Sequence, residues 1–326
     1  MTNYKWGIIG PGRIAVNFCE QFPAGQTLYG VASAHSQEKA AALASQFKIP
    51  HVYSSHEELL ADPAIEVVYI ATTNNVHYDN IKAALLAGKH VLAEKPITLN
   101  ASQLVELNTL AQSKHLILME AQTIYHMPLY PKLLEFVAQH PAQVGRLKSL
   151  QAALGMFVDP NETAGRLLNP ELAGGALLDL GIYTLSFARR FMTATPKLEK
   201  TVMVPTATGV DDTSVTLLSN SHQELGSFSL SLSARQPEVG YAVYEHGYFM
   251  VEHFLRPERA IFVDGATGKQ QVITAGANQQ AMGYEASDMA TAIETGANPT
   301  AAWTQETMAI MTAMREQWGL VYPNEK

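Results

Sequence analysis

Three groups of residues carry the polar chemistry of this chain. Lys95 lies in Glu94-Lys95-Pro96, directly after an apolar run, and the rigid proline beside it would hold the ammonium at the end of a strand. Asp179 and Tyr183 stand four residues apart in the otherwise apolar stretch Gly174-Gly-Ala-Leu-Leu-Asp-Leu-Gly-Ile-Tyr183, so a helix would turn both to one side. A phenol assisted by a cation is one form of general acid/base pair. Gly10-Pro-Gly-Arg-Ile-Ala15 has the spacing G-x-G-x-x-A. There Gly10 admits a tight turn, Gly12 lets a pyrophosphate approach, and the amides around Arg13 and Ile14 would face that anion at a helix N-terminus. Each group also has a plain structural alternative: a surface Lys95 paired with Glu94, an Asp179 that caps a local bond with a Tyr183 that is a half-buried core phenol, and a Gly10 turn chosen only for its geometry.

The elements needed to position these groups are legible as an alternation. Residues 5–10 read as a buried strand, and Ile14, Phe18 and Phe22 then recur as one helix face. Leu28 to Ala34 is strand-like, and Ser36 can cap a helix whose Ala40, Leu43 and Phe47 share a side. Ser55 with Glu58 fits a capping box, Val67 to Thr72 is an apolar strand, and the helix after it ends near Gly88. His90 to Ala93, a helix capped by Asn100 with Gln103, and Leu116 to Ala121 close the series. Alternating βα units imply a doubly wound parallel sheet, which binds ligands beyond the carboxyl ends of its strands. The Gly10 turn makes a dinucleotide the expected ligand, and the loop Thr72-Thr-Asn-Asn-Val-His77 offers Thr72, Asn74 and His77 at the same edge.

An NAD-selective site usually carries Asp or Glu at the end of the second strand, where this chain reads Ser33-Ala34-His35-Ser36. Hydroxyls and an imidazole there, with Arg13 and Lys39 nearby, suit a 2′-phosphate, so NADP is the expected cofactor with NAD as the alternative. Capping by Ser36 and an exposed His35 would account for the same residues without a ligand.

Composition narrows the remaining classes. At 326 residues, 47% hydrophobic and 16% charged, the chain is long enough for two cores and too apolar for disorder. Apolar runs have strand length, and the N-terminus lacks a secretory pattern, so no membrane partner and a cytoplasmic location are expected. With 22 basic against 30 acidic residues and no long Lys/Arg run, nucleic acid is not an expected partner. Cys19 is the single cysteine, which forbids an internal disulfide; no metal site is expected, and a buried thiol is the simplest reading.

The four motifs Gly10 to Ala15, Thr72 to His77, Glu94 to Pro96 and Gly174 to Tyr183, in this order, resemble the glucose-fructose oxidoreductase, inositol dehydrogenase and rhizopine catabolism (Gfo/Idh/MocA) family. Tyr241 to Pro257 and Tyr284 to Pro323 resemble its later segments. The resemblance implies a Rossmann domain over 1–122. It also implies a substrate-binding and oligomerisation domain over 123–326, with a mainly antiparallel open sheet, flanking helices and a C-terminal helix able to pack back on the first domain. It further implies NAD(P)-dependent hydride transfer to or from an aldose, cyclic polyol or trans-dihydrodiol, and a homodimer or higher oligomer through the open sheet. Lys95 matches the lysine near nicotinamide and substrate, and Asp179 with Tyr183 matches a pair usually written Asp-x-x-x-His. Tyrosine in place of histidine resembles the subgroup of glucose-fructose oxidoreductase, dimeric dihydrodiol dehydrogenase and NADP-dependent xylose dehydrogenase, in which the tyrosine is the acid/base. A non-catalytic nucleotide sensor on the same scaffold is the alternative from a different class.

The second half supports a sheet independently. Ser227, Ser229, Ser231 and Ser233 alternate with Phe228, Leu230 and Leu232, a half-buried strand, and residues 145–157, 198–219, 241–254 and 259–274 are strand-like. Met289, Ile293, Met308, Met311 and Met314 lie at helical spacings and read as core. Asp211-Asp212 reads as the end of a turn and not as a catalytic pair.

Overall fold

A computed structural model describes residues 2–323 and Glu325, and it divides into two compact units, one of residues 1–122 with 279–305 and the other of 123–278 with 306–326. The first unit alternates as its sequence predicts: β1 (Lys5–Ile9), α1 (Arg13–Glu20), β2 (Thr27–Ala32), α2 (Gln37–Phe47), β3 (His51–Tyr53), α3 (His56–Ala61), β4 (Val67–Ile70), α4 (His77–Leu86), β5 (His90–Glu94), α5 (Ala101–Ser113) and β6 (Leu118–Ala121). The six strands are parallel in the order β3-β2-β1-β4-β5-β6, so the sheet reverses its order between β1 and β4. Three caps read from the sequence are in place: Ser36 accepts the Lys39 amide, Ser55 that of Glu58 and Asn100 that of Gln103.

Trp6, Phe18 and Tyr69 anchor this unit's core, with Phe18 and Tyr69 stacked at 3.8 Å between ring centroids. Cys19 is buried among them, and burial pushes its thiol up to about 12, which rules out a thiolate at neutral pH. α10 (Ala281–Thr295), remote in sequence, adds Met282, Ala286, Met289 and Ala292 to the same core.

The second unit begins with α6 (Thr123–His126), α7 (Leu129–Gln139) and α8 (Pro141–Val144). Its sheet comprises β7 (Leu147–Gly155), β8 (Lys197–Pro205), β9 (Asp211–Ser219), β10 (Leu225–Ser231), β11 (Val239–Tyr244), β12 (Gly247–Glu252), β13 (Arg259–Asp264) and β14 (Gln270–Thr274). The order is β14-β13-β12-β11-β7-β10-β9-β8, antiparallel except for the parallel pair β7 and β10. The stretch 198–219 is two strands joined by a turn at 206–210, and the serine alternation ends at Ser231, which is itself buried. A π turn (Leu177–Gly181) runs into α9 (Ile182–Phe191), which covers one sheet face: Phe187 fills the space over Gly240, and Leu230 that over Gly181. Met308, Met311 and Met314 of α11 (Ala301–Trp318) are buried. Among the described residues no helix is long and apolar enough to cross a membrane.

Gly283 marks where α10 meets the end of α1, because a Cβ there would stand 2.5 Å from the Gln21 carbonyl oxygen, while Gln21 Oε1 accepts the Met282 amide at 3.0 Å. Helix propensity alone makes Gly→Ala stabilising by about 1 kcal/mol. The contact reverses that sign, so Gly283→Ala should lower the urea midpoint by about 1–3 kcal/mol of stability; a raised midpoint would show that α10 does not pack this closely.

Candidate active site

Parallel pairing brings the chemistry of the first unit to one edge. Ile9 pairs with Ile70, Ile70 with Ala93, and Glu94 with Ala121, so Gly10, Thr72, Lys95 and Gln122 all leave the sheet at its carboxyl end. Gly10 has φ +96°, and a Cβ on it would lie 2.8 Å from the Ala71 carbonyl oxygen, so only glycine fits this turn. Gly12 is the N-cap of α1, has no side-chain cap, and has open space where a Cβ would be. Uncapped amides beside an open backbone, with Arg13 exposed next to them, fit a pyrophosphate and so the dinucleotide that the sequence implies. Ile14 is half-buried and packs against the core behind this turn.

At the end of β2 the Ser33 hydroxyl accepts the amides of His35 (3.3 Å) and Ser36 (3.1 Å), which shapes the turn. An accepting hydroxyl can still donate its own proton, and His35 is exposed beside it. No carboxylate stands in the Ala32-Ser33-Ala34-His35 turn.

His77 is fully buried, with Nδ1 2.8 Å from the Pro96 carbonyl and Nε2 3.1 Å from the Thr72 carbonyl. Burial lowers its pKa against the pull of these two carbonyls; the neutral ring donates to one of them, and only the doubly protonated ring donates to both, but in either state the imidazole sits between the Thr72 loop and the Lys95 loop. Its ring is a strut, with both nitrogens turned to protein carbonyls. Asn74 is buried in the same loop, where Thr73 donates to the side chain of Asn75 at 2.7 Å.

The loop carrying Lys95 is fixed from three directions. Tyr69 donates to Glu94, which ties that buried carboxylate to β4, while Lys95 itself is half-buried at the strand end. His77 holds Pro96, and Glu120 on β6 accepts the Ile97 amide at 3.0 Å. Burial pushes the Glu120 carboxyl up to about 7, against the Ile97 amide, the Thr304 hydroxyl and the charge of Lys95, which pull it down. Sequence reasoning passed over Glu120. The available signal was a carboxylate closing the apolar run Leu116 to Ala121, where burial is costly without a partner.

Within the second unit, every residue from Ala173 to Ala188 is buried except Asp179 and Tyr183. Asp179 lies in the π turn and Tyr183 in α9, and the two are the half-exposed positions of this otherwise buried segment. Asp179, 15% exposed, accepts from the Arg166 guanidinium at 3.0 Å; Arg166, 42% exposed, was not anticipated from the sequence. The contact places a positive charge beside the Asp179 carboxylate.

Glu120 binds a proton in the folded state above the pH at which the unfolded chain releases it. Its contribution is therefore fully present below the unfolded value of 4.5 and is lost as pH rises through about 7. Glu120→Gln should make unfolding free energy less dependent on pH between about 5 and 8. Identical pH dependence of the two proteins in urea titrations would contradict this placement of the carboxyl.

Comparisons with known proteins agree with this arrangement. The Gfo/Idh/MocA oxidoreductase family with an NAD-binding Rossmann fold matches residues 4–122, and the family's C-terminal domain matches residues 140–250. A trans-1,2-dihydrobenzene-1,2-diol dehydrogenase of Mus musculus is 31% identical, with 99% of each chain covered. A D-xylose 1-dehydrogenase (NADP(+)) of Hypocrea jecorina is 34% identical over 56% of this chain and 51% of its own. In fold, the chain is similar to a 3-ketoreductase from Actinomadura kijaniata solved with NADP and TDP-benzene: the TM-score is 0.85 at 21% identity, covering 97% of this chain and 98% of that one. With the nucleotide turn, the two sheets and these matches together, the chain belongs to the Gfo/Idh/MocA oxidoreductase family and is an NAD(P)-dependent dehydrogenase.

Proposed function

We propose that this protein transfers a hydride between NADP and an alcohol or carbonyl of an aldose, cyclic polyol or trans-dihydrodiol, with Tyr183 as the acid/base. The observation that carries the reading is the exposure of Asp179 and Tyr183 alone in a segment that is otherwise buried from Ala173 to Ala188. When bound, nicotinamide supplies or takes the hydride. The phenol of Tyr183 takes the hydroxyl proton during oxidation and returns it during reduction. Asp179 accepts hydrogen bonds from neighbouring substrate hydroxyls, oriented by Arg166, which suits a diol or sugar better than a simple alcohol. Lys95 is the cation that the family resemblance assigns to the nicotinamide and substrate, and Glu120 and His77 keep its loop in place.

NADP in place of NAD is supported by the end of β2, where hydroxyls and His35 stand instead of a carboxylate. The names of the dihydrodiol and xylose dehydrogenases support the substrate class. Tyr183→Phe should keep NADP affinity and lose about 100-fold or more in turnover with a trans-dihydrodiol or D-xylose; unchanged turnover would remove the phenol from the mechanism.

The uncovered sheet face supports a homodimer. Val202 and Val215 pair across β8 and β9 with 60% and 52% of their surface exposed, and Val204 and Leu217 extend the apolar strip. Replacing Val202 and Val215 by Lys should turn a dimer into a monomer in light scattering; a wild type that is already monomeric, or a variant that remains dimeric, would contradict this assembly.

A further inference from the structure

Asp211, which opens β9, is a fully buried carboxylate that the mechanism above does not use. Its Oδ2 accepts the Leu177 amide at 2.6 Å, the first N–H of the π turn. Its Oδ1 occupies the space beside Gly175: φ there is +114°, and a Cβ would lie 2.1 Å from that oxygen. Tyr322 closes the other side, donating to the Gly174 carbonyl at 2.5 Å. Tyr322 is itself held by Arg315, 5.0 Å over its ring, and Arg315 pairs with Glu325 at 2.6 Å. Gly174 is pressed in turn by the carbonyls of Arg166 and Leu167, at 2.7 and 2.6 Å from where its Cβ would be. The double glycine is therefore a turn filled on every side by backbone, carboxylate and phenol.

This turn lies directly upstream of Asp179. A π turn accommodates one residue more than an α turn, and a helix that absorbed that residue would rotate what precedes the junction by about 100°. Where the extra residue sits depends on a fixed start, and the bond from Leu177 to Asp211 supplies it. We propose that Asp211, seconded by Tyr322, clamps the Gly174-Gly175 turn and so sets the rotation at which Asp179 is presented with Tyr183. Asp211 is thus a positioning residue for the proton transfer assigned above. The inference rests on that assignment, and it extends the active arrangement to the turn before β9 and to the C-terminal tail.

Full-length Asp211→Ala, Asp211→Asn, Tyr322→Phe and Tyr183→Phe test it, with steady-state kinetics on a substrate turned over by the wild type and NADP binding measured separately. Asp211→Ala should lower kcat at least tenfold while the NADP Kd stays within twofold. Asp211→Asn, which keeps an acceptor of equal size for the Leu177 amide, should return kcat to within threefold of wild type. An Asp211→Ala protein with wild-type kcat, or an Asp211→Asn protein as impaired as Asp211→Ala, would overturn the clamp. Should Asp211→Ala not accumulate folded, Tyr322→Phe decides: a three- to tenfold fall in kcat at constant NADP Kd supports the clamp, and an unchanged kcat overturns it. Loss of turnover in Tyr183→Phe together with a normal Asp211→Ala would reject the clamp alone, whereas normal turnover in Tyr183→Phe would reject the acid/base assignment as well.

Discussion

Two polar side chains projecting from an otherwise buried helical wall are the constraint to which the second unit is built. Asp179 and Tyr183 keep contact with solvent only because their neighbours on both sides are packed: Leu177, Leu178, Leu180 and Ile182 into the core, and Phe187 against Gly240. Apolar packing fixes where the segment lies, and the bond to Asp211 fixes how it is turned. Neither suffices alone, since apolar contacts are non-directional and a single hydrogen bond contributes only about 1 kcal/mol.

The first unit solves a similar problem with hydrogen bonds. Lys95 follows a strand, and a strand end is free to fray unless its polar groups are satisfied. Tyr69, His77 and Glu120 each take one group on the loop from Glu94 to Ile97, and all three come from β4, α4 or β6, the neighbours that parallel pairing places alongside. Buried polar networks of this kind confer a defined geometry when satisfied. The nucleotide turn needs the opposite, an absence of side chains, and Gly10 and Gly12 meet that need in different ways: one by its backbone angle, the other by leaving the helix N-terminus open.

Much of this was legible because it is local. The alternation of apolar runs with capped helices gave the parallel sheet, and Ser36, Ser55 and Asn100 cap the helices they were read to cap. The spacing of Asp179 and Tyr183 is read directly from the sequence, but the π turn that holds Asp179 is not, since nothing in Leu-Leu-Asp-Leu-Gly announces an extra residue. What stayed hidden depends on contacts distant along the chain. Glu120 acquires meaning only when β6 lies beside β5, and Asp211 only when β9 meets a glycine 36 residues earlier. The packing of α10 with the first unit was equally invisible in its methionines, which would suit any core.

The central claim is that the Tyr183 phenol exchanges the substrate proton. The most direct measurement is the pH dependence of kcat/KM for alcohol oxidation in the wild type and in Tyr183→Phe. The account predicts a limb rising with pH in the wild type that is absent from the residual activity of the variant. The same limb in both proteins would assign the proton to another group and contradict it.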